Sequence, residues 1–407
     1  MSTIADELPN GRAASERDAA PTCGPVASAS GDARTRVRGE WDAVIVGASF
    51  AGLAAATELA GAGRVLVLDR ARVGEGETSA CATPLAVLER LGALEAVEQV
   101  HREIVFHFPD GRERRYKPLF PFATFDYRRL CQLLAARTDA TFIQATVDGY
   151  DPGRDLVSSS AGDFRGRVLI DASGWRAVLG SSLRPRLVER QAMSLGLERR
   201  LDRRERGLHF WVFPPELGCG MGWLFPAGSN SRAGIACYRG HGGLKRPLQQ
   251  LFADGDGGGL HGGFFPARLR DPVAEGRVFL VGDAAGLCLP VTGEGIRPAL
   301  VYGQLAGRLA GRVLAGELDL AEALASYRQQ VLAHRGGWRA LAGLQRAALA
   351  SPRLLPPVLA WLFGAGPLAR PVQRVYLQLA PPELLDPAAG PCEPAALARV
   401  ASAGKAA

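Results

Sequence analysis

Residues 41–70 read WDAVIVGASFAGLAAATELAGAGRVLVLDR, and this stretch decides the fold. Ala43 to Val46 is a short apolar run rich in β-branched residues, the pattern of a strand buried in a parallel sheet. Gly47, Ala48, Ser49, Phe50, Ala51 and Gly52 follow at once, and Leu53 to Ala60 is a strong helix former. A second apolar run, Val65 to Leu68, closes in Asp69. Strand, glycine turn, helix, strand and acid make one βαβ unit. Gly47 permits the tight turn, and Gly52 lets the helix close on the sheet. The free N–H groups and positive end of the helix then face a pyrophosphate. Asp69 stands where a carboxylate accepts both hydroxyls of an adenosine ribose. The middle glycine of the usual pattern is Ser49, which narrows the backbone approach without blocking it. A crossover with no ligand is the plainer alternative; turn, helix and acid together argue against it.

With 407 residues, 47% of them hydrophobic, the chain is large enough for two domains. The formal charge of +7 is carried mainly by scattered arginines, with no nucleic-acid-binding motif, so no nucleic-acid partner is expected. Attraction to an anionic substrate or membrane surface accounts for the charge as well. The seven cysteines are dispersed and form no C-x-x-C pair, which argues for reduced thiols in a cytoplasm, and against zinc or a disulfide frame. No metal site is expected. No signal peptide is visible and no apolar stretch reaches about 18 residues. A cytoplasmic protein, soluble or lying on a membrane surface, follows.

Residues 1–39 are polar and rich in Ala, Ser, Gly and Pro, and read as a disordered tail. A helix is expected from about Pro84 to Val100. Glu103–Phe108 and Arg112–Tyr116 flank Pro109-Asp110-Gly111, a hairpin signal. Tyr127–Arg137 reads as a helix, and Thr141–Val147 and Arg167–Ile170 as strands, the latter running into Asp171-Ala-Ser-Gly174-Trp. Met193 to Tyr238 alternates with many aromatics and turns, as an antiparallel sheet over a pocket does. Residues 276–296 read GRVFLVGDAAGLCLPVTGEGI, a strand, a glycine-rich loop and the start of a helix that runs through Leu314. Leu320 to Ala407 is helical with proline breaks. Leu354–Gly366 is the most apolar run: core, a lipid-like substrate tunnel, or a membrane-facing patch.

The βαβ unit closed by Asp69, the DASG junction and the late GDAAGLCLPVTGEGIRPAL run resemble the FAD-binding fold of p-hydroxybenzoate hydroxylase, flavin halogenases, lycopene cyclases and geranylgeranyl reductases. The late run, with Trp223-Leu-Phe225-Pro, is most similar to the geranylgeranyl reductase family. The resemblance covers roughly residues 40 to 330 and implies an α/β fold: a Rossmann-like FAD-binding domain with a central parallel sheet, an antiparallel-sheet substrate domain and a C-terminal helical region. The implied FAD domain is discontinuous, 40–100 with 126–185 and 270–330. The substrate domain is 101–125 with 186–269, and the helical region 331–407.

The resemblance also implies roles. Gly47, Ser49 and Gly52 hold the pyrophosphate, and Asp69 the ribose, with Arg70 beside it. Arg128 reaches the phosphates. Gly282 lets the backbone come close, and Asp283 bonds the ribityl chain or pyrophosphate. Gly174, Gly293, Gly295 and Ile296 lie along the flavin, where backbone N–H groups at 293–296 favour negative charge on its reduced pyrimidine edge. Trp223, Phe225 and Pro290 contact substrate. Cys81 tunes the flavin or delivers a proton, or is simply a small buried thiol. Three positions depart from the family pattern: Tyr127 where relatives carry arginine, Ser173-Gly174 where hydroxylases carry Asp-Gly, and Met221 where reductases carry tyrosine.

These features imply a reductase of C=C bonds in a hydrophobic, isoprenoid-like substrate, with hydride from flavin N5 and the proton from Cys81 or an ordered water. The alternative is a monooxygenase hydroxylating or epoxidising a hydrophobic natural-product intermediate. A halogenase, a redox-neutral cyclase and a non-catalytic flavin-binding protein rank below it. With one dinucleotide fingerprint, electrons come from transiently bound NAD(P)H or from a reduced partner, a ferredoxin or a flavin reductase.

Overall fold

The computed structural model describes residues 37–77, 79–190, 193–240, 242–253, 259–351 and 369–385. Its central strand, Val37–Val46, contains the first apolar run and pairs in parallel on both sides. Val44 faces Leu169 of Gly162–Asp171 and Leu66 of Val65–Asp69. Val278–Leu280 and Thr141–Gln144 extend the parallel order outward, with short antiparallel strands at the margins. Ala43, Val44 and Ile45 are fully buried, as strands covered on both faces must be.

Helix Phe50–Glu58 packs against the long helix Ile296–Leu314 at very short range. A Cβ at Gly303 would lie 2.5 Å from the Ala51 carbonyl oxygen, so only glycine fits the crossing. Leu53, Leu300 and Val301 are fully buried in the same core. Each contributes about 1.5–3 kcal/mol of transfer free energy.

The second sheet has seven strands, in the order His261–Pro266, Met193–Leu201, Asn230–Cys237, Gly220–Ala227, Leu208–Val212, Ile104–His107 and Glu113–Tyr116. The expected hairpin is present, with Ile104 facing Tyr116 and the Gly111 amide closing the turn on Phe108. The sheet is antiparallel except where that hairpin joins it: Leu208–Val212 runs parallel to Ile104–His107. A third, three-stranded sheet joins Ala82–Pro84, Phe122–Phe125 and Val97–His101.

One expected element is different. In place of a helix over 84–100, a short helix Leu85–Arg90 stops before Gly92, whose φ is +55°. Val97–His101 is instead a strand paired with Phe122–Phe125. The left-handed glycine ends the helix, and tertiary pairing then overrides the local helical pattern. The last predicted strand residues are also redistributed: Thr141–Gln144 ends the parallel strand, and Val147–Asp151 starts an antiparallel one.

Beyond the long helix lie Leu320–Ala333, Arg335–Ala350 and Ala369–Gln378, all helical. The expected tail lies outside the described residues except Val37–Gly39, which are strand, and Leu354–Gly366 lies wholly outside them. Among the described residues, no helix is long and apolar enough to cross a membrane.

Candidate active site

Three strand-to-turn junctions meet at the carboxyl ends of neighbouring parallel strands. At the first, Gly47 has φ +109°, and a Cβ there would sit 2.2 Å from the Ala172 carbonyl oxygen of the second junction. A Cβ at Gly52 would lie 1.9 Å from Gly47 O, so helix and turn close only on glycine. Ser49 stands at the N-cap of the first helix, yet its side chain caps nothing and instead accepts from Tyr127 Oη at 3.2 Å. The leading amides of that helix are left to an outside acceptor, the arrangement that binds a phosphate. Asp69 ties the turn together, accepting from Ala48 N at 2.7 Å and Ala71 N at 2.8 Å, one bond on each oxygen. Each oxygen keeps a second lone pair for a ribose hydroxyl.

Arg70 and Arg128 are exposed, and neither guanidinium has an ion-pair partner among the described residues. Arg128 is the second residue of helix Tyr127–Ala135 and packs against the loop that follows Asp69, where a Cβ at Gly74 would lie 2.9 Å from its Cγ. Arg129, by contrast, pairs with Glu95.

At the second junction, Asp171 is fully buried and accepts from Ser173 N, Ser173 Oγ and Gly180 N. It locks the turn that presents the half-buried Gly174. At the third, Gly282 has φ +56° and nests against Ala51 and Ala299. Burial raises the Asp283 carboxyl to about 6, against the attraction of Arg270. No hydrogen-bond donor reaches that carboxylate among the described residues, and Gly295 lies beside it: a Cβ there would be 3.5 Å from Asp283 Oδ1. Gly295 is the N-cap of the long helix, which begins at the buried Ile296 and has no side-chain cap. The Gly293 amide is already taken by Leu289 O at 2.9 Å, so the donors for a ligand in this loop are those of the helix start. Two uncapped helix N-termini and an unpartnered carboxylate at adjacent junctions fit a flavin dinucleotide. Bound there, FAD would supply the hydride or oxygen chemistry.

The backbone is strained where these segments converge. Three of the five described non-glycine residues with positive φ lie in them: Cys81 (+49°), Ala177 (+45°) and the β-branched Val291 (+71°). Such conformations persist only where surrounding structure over-determines them. For Val291 the restraints are visible: Gln345 Oε1 accepts from its amide at 2.8 Å, and Tyr238 donates to its carbonyl. The same loop is held by Arg297, fully buried, which donates twice to Glu294 (2.7 and 2.9 Å) and to the carbonyls of Leu377 and Ala380. Tyr376 adds a bond to Glu294 and one to Thr292. Glu294 is therefore part of an anchor.

Trp223 and Phe225 share one apolar cluster of the second sheet with Phe210, Phe265 and Met221. That cluster touches Ala80 and Ala82 on either side of Cys81, and the Phe265 ring lies 3.7 Å from a Cβ built on Gly293. Pro290 is buried in the same loop. The structure thus brings the Cys81 loop, the aromatic face and the Gly293 loop together.

Cys81 is fully buried, and burial pushes its thiol pKa well above the ordinary value, against the pull of Arg232. Its Sγ lies 3.4 Å from Glu77 Oε1. Glu77 pairs with Arg232, which is itself buried and lies 3.6 Å from Glu98 and 3.7 Å from Glu198. Glu198 accepts from Trp223 Nε1 at 2.6 Å and lies 3.1 Å from His261 Nε2. No sequence motif pointed to this cluster. The available signal was Arg232 itself, a cation inside a strand whose other residues are nearly all buried. Such a charge must find partners. Among the described residues, no group of three or more His, Cys, Asp or Glu is arranged to hold a metal ion.

No protein-family model matches the chain. Digeranylgeranylglycerophospholipid reductase 2 of Methanopyrus kandleri is 28% identical over 332 residues, covering 72% of this chain and 82% of the relative. The chain resembles the geranylgeranyl reductases along most of its length. A geranylgeranyl bacteriochlorophyll reductase-like protein from Thermoplasma acidophilum superposes with a TM-score of 0.69 at 16% identity, over 85% of this chain and 97% of that one. A probable FAD-dependent monooxygenase from Pseudomonas aeruginosa superposes with a TM-score of 0.58 at 20% identity, over 77% and 96%. The fold is therefore shared by geranylgeranyl reductase-like proteins and flavin oxygenases.

Proposed function

We propose that the protein is an FAD-dependent oxidoreductase that reduces C=C bonds of a hydrophobic, isoprenoid-like substrate. The observation that carries this reading is the aromatic face of Trp223, Phe225, Phe210 and Phe265, which closes over both the Cys81 loop and the Gly293 loop. A substrate lying there has an apolar wall on one side and the flavin segments on the other. Reduced flavin supplies the hydride when bound. The chain's own residues bind and orient: the amides before Leu53 hold the pyrophosphate, Asp69 the ribose, and Asp283 a hydroxyl of the ribityl chain. Trp223, Phe225 and Pro290 hold the alkene in a site closed to water. Cys81, protonated at neutral pH because it is buried, is placed as the acid that completes the reduction.

Electrons arrive from NAD(P)H bound transiently or from a reduced ferredoxin or flavin reductase. The setting is cytoplasmic, with the protein resting on a membrane surface to reach its substrate. Oxygenation of a hydrophobic intermediate is the second reading, favoured by the oxygenase-like superposition.

One experiment separates the two. The FAD-loaded protein is photoreduced without oxygen and mixed either with an isoprenoid alkene or with oxygenated buffer. Reoxidation by the alkene, with no flavin adduct in oxygen, is the expected result. A transient adduct in oxygen and indifference to the alkene would select the oxygenase. A colourless protein that refuses added FAD would sink both.

A further inference from the structure

The carboxylates behind Cys81 outnumber their cations. Glu77, Glu98 and Glu198 surround Arg232, and among the described residues Arg200 is the one other guanidinium in reach, 3.6 Å from Glu77 and 3.9 Å from Glu98. Three negative groups against two positive ones leave a largely buried cluster, with Arg200 at its open edge, one proton short of neutrality, and burial favours taking that proton up. Two further observations agree. Glu98 Oε2 is buried with no hydrogen-bond partner. Glu98 and His261 are also both shifted upward, Glu98 through burial, and His261 because burial, the largest single effect and of the opposite sign, is exceeded by its bond to Glu198 together with the charges of Glu198 and Glu77. A network that served only to join the sheets would work better with its charges matched.

We infer that Glu77, Glu98, Glu198, Arg200, Arg232 and His261 form a reservoir holding one proton in common, and that Glu77 returns it to Cys81 after the thiol has protonated the substrate. This inference rests on the reductase reading of the site. Glu77 is the member placed for the transfer, since its carboxylate contacts Cys81 Sγ while its side chain remains 23% exposed. Cys81 has no exposure of its own. The other charged or titratable groups facing the thiol are Arg232 and Glu198 from the sheet, and Tyr127 from the adjoining helix. The step balances. One alkene carbon gains a hydride from reduced flavin, the other gains the Cys81 proton, and the S–H bond broken is re-formed with the cluster's proton. Solvent then refills the cluster through Glu77. Glu77 is thus a positioning and supply residue, and Cys81 the group that touches substrate.

The test uses the full chain loaded with FAD, photoreduced without oxygen and mixed with geranylgeraniol in detergent micelles. Glu77→Gln leaves two carboxylates against two guanidinium groups, so the variant is expected to fold. Flavin reoxidation should slow by on the order of 100-fold. Cys81→Ser should slow it to a similar extent, and the double variant should be no slower than the slower single one. Glu77→Asp should recover part of the rate. A Glu77→Gln variant at the wild-type rate, or two losses that multiply, would overturn the supply step. A second readout needs no cofactor: the infrared S–H stretch, assigned to Cys81 by its loss in Cys81→Ser, should move to the free-thiol position in Glu77→Gln. An unmoved band would also overturn the inference. Wild-type reduced flavin that ignores the alkene would instead remove the reductase reading and the delivery step with it, while the S–H band would still decide the Glu77 contact.

Discussion

The first and third junctions of the parallel sheet each run a strand through glycine into a helix N-terminus without a side-chain cap, yet they are held in opposite ways. At Gly47–Gly52 the bond that shapes the turn is local, Asp69 reaching back 21 residues to the Ala48 amide, with Ala172 and Tyr127 packed on it from outside the unit. At Gly282–Ile296 the loop is fixed from afar, by Gln345 on Val291, by Arg297 bridging Glu294 to the carbonyls of Leu377 and Ala380, and by Tyr376 on Glu294. A helix N-terminus without a side-chain cap can thus be held largely within one βαβ unit or by contacts distributed along much of a chain.

The largest effect should come from breaking the distributed anchor. Arg297→Met leaves Glu294 buried beside carbonyls that have lost their donor, and should destabilise by about 3–5 kcal/mol. Chemical denaturation of the wild-type and variant proteins measures it, and a loss under about 1 kcal/mol would mean that the loop does not depend on the anchor. Next is Asp283. Its folded pKa of about 6 lies above its ordinary 3.8, so the folded acid binds its proton more tightly than the unfolded one. Its contribution is therefore present below about pH 4 and lost as pH rises through 6. Asp283→Asn should stabilise the FAD-free protein by on the order of 1–3 kcal/mol at pH 8, and hardly at pH 3.5, while weakening FAD binding. Equal stability shifts at both pH values would contradict the burial of this carboxylate. Gly303→Ala places a methyl against the Ala51 carbonyl where the two junctions' helices cross, and should cost about 1–3 kcal/mol in thermal unfolding. The smallest change belongs to the first junction: Ser49→Gly should cost about 0.5–1 kcal/mol, because the serine caps nothing and only the acceptor of the buried Tyr127 hydroxyl is lost. A fall in FAD affinity beyond about tenfold there would show that the Ser49 hydroxyl holds phosphate.

This contrast also explains what the sequence reveals. Gly52 and Asp69 are legible because each answers a constraint set within about 30 residues, the span of one βαβ unit, and Gly47 because its φ of +109° is itself a demand of the turn, although its close approach to Ala172 is not local. The Val97–His101 strand is not, since its pairing partner Phe122–Phe125 decides it and its local pattern suits a helix. The Glu77–Arg232–Glu198 cluster is drawn from a loop and two strands, with Glu77 and Arg232 155 residues apart. Nothing in any one segment names its partner. Trp223 and Phe225 were legible as a pair, but their position over Cys81 depends on how the two sheets meet.

The anchoring of the Gly293 loop has a consequence for the order of events during synthesis. Tyr376 is added to the growing chain 82 residues after Glu294, whereas the bond from the Ala48 amide to Asp69 can form once Asp69 has emerged. A nascent chain can therefore shape its first junction long before it can fix the Gly293 loop. On the proposed reading of the site, flavin capture on the ribosome would be a loose, reversible encounter that becomes firm only when helix Ala369–Gln378 docks.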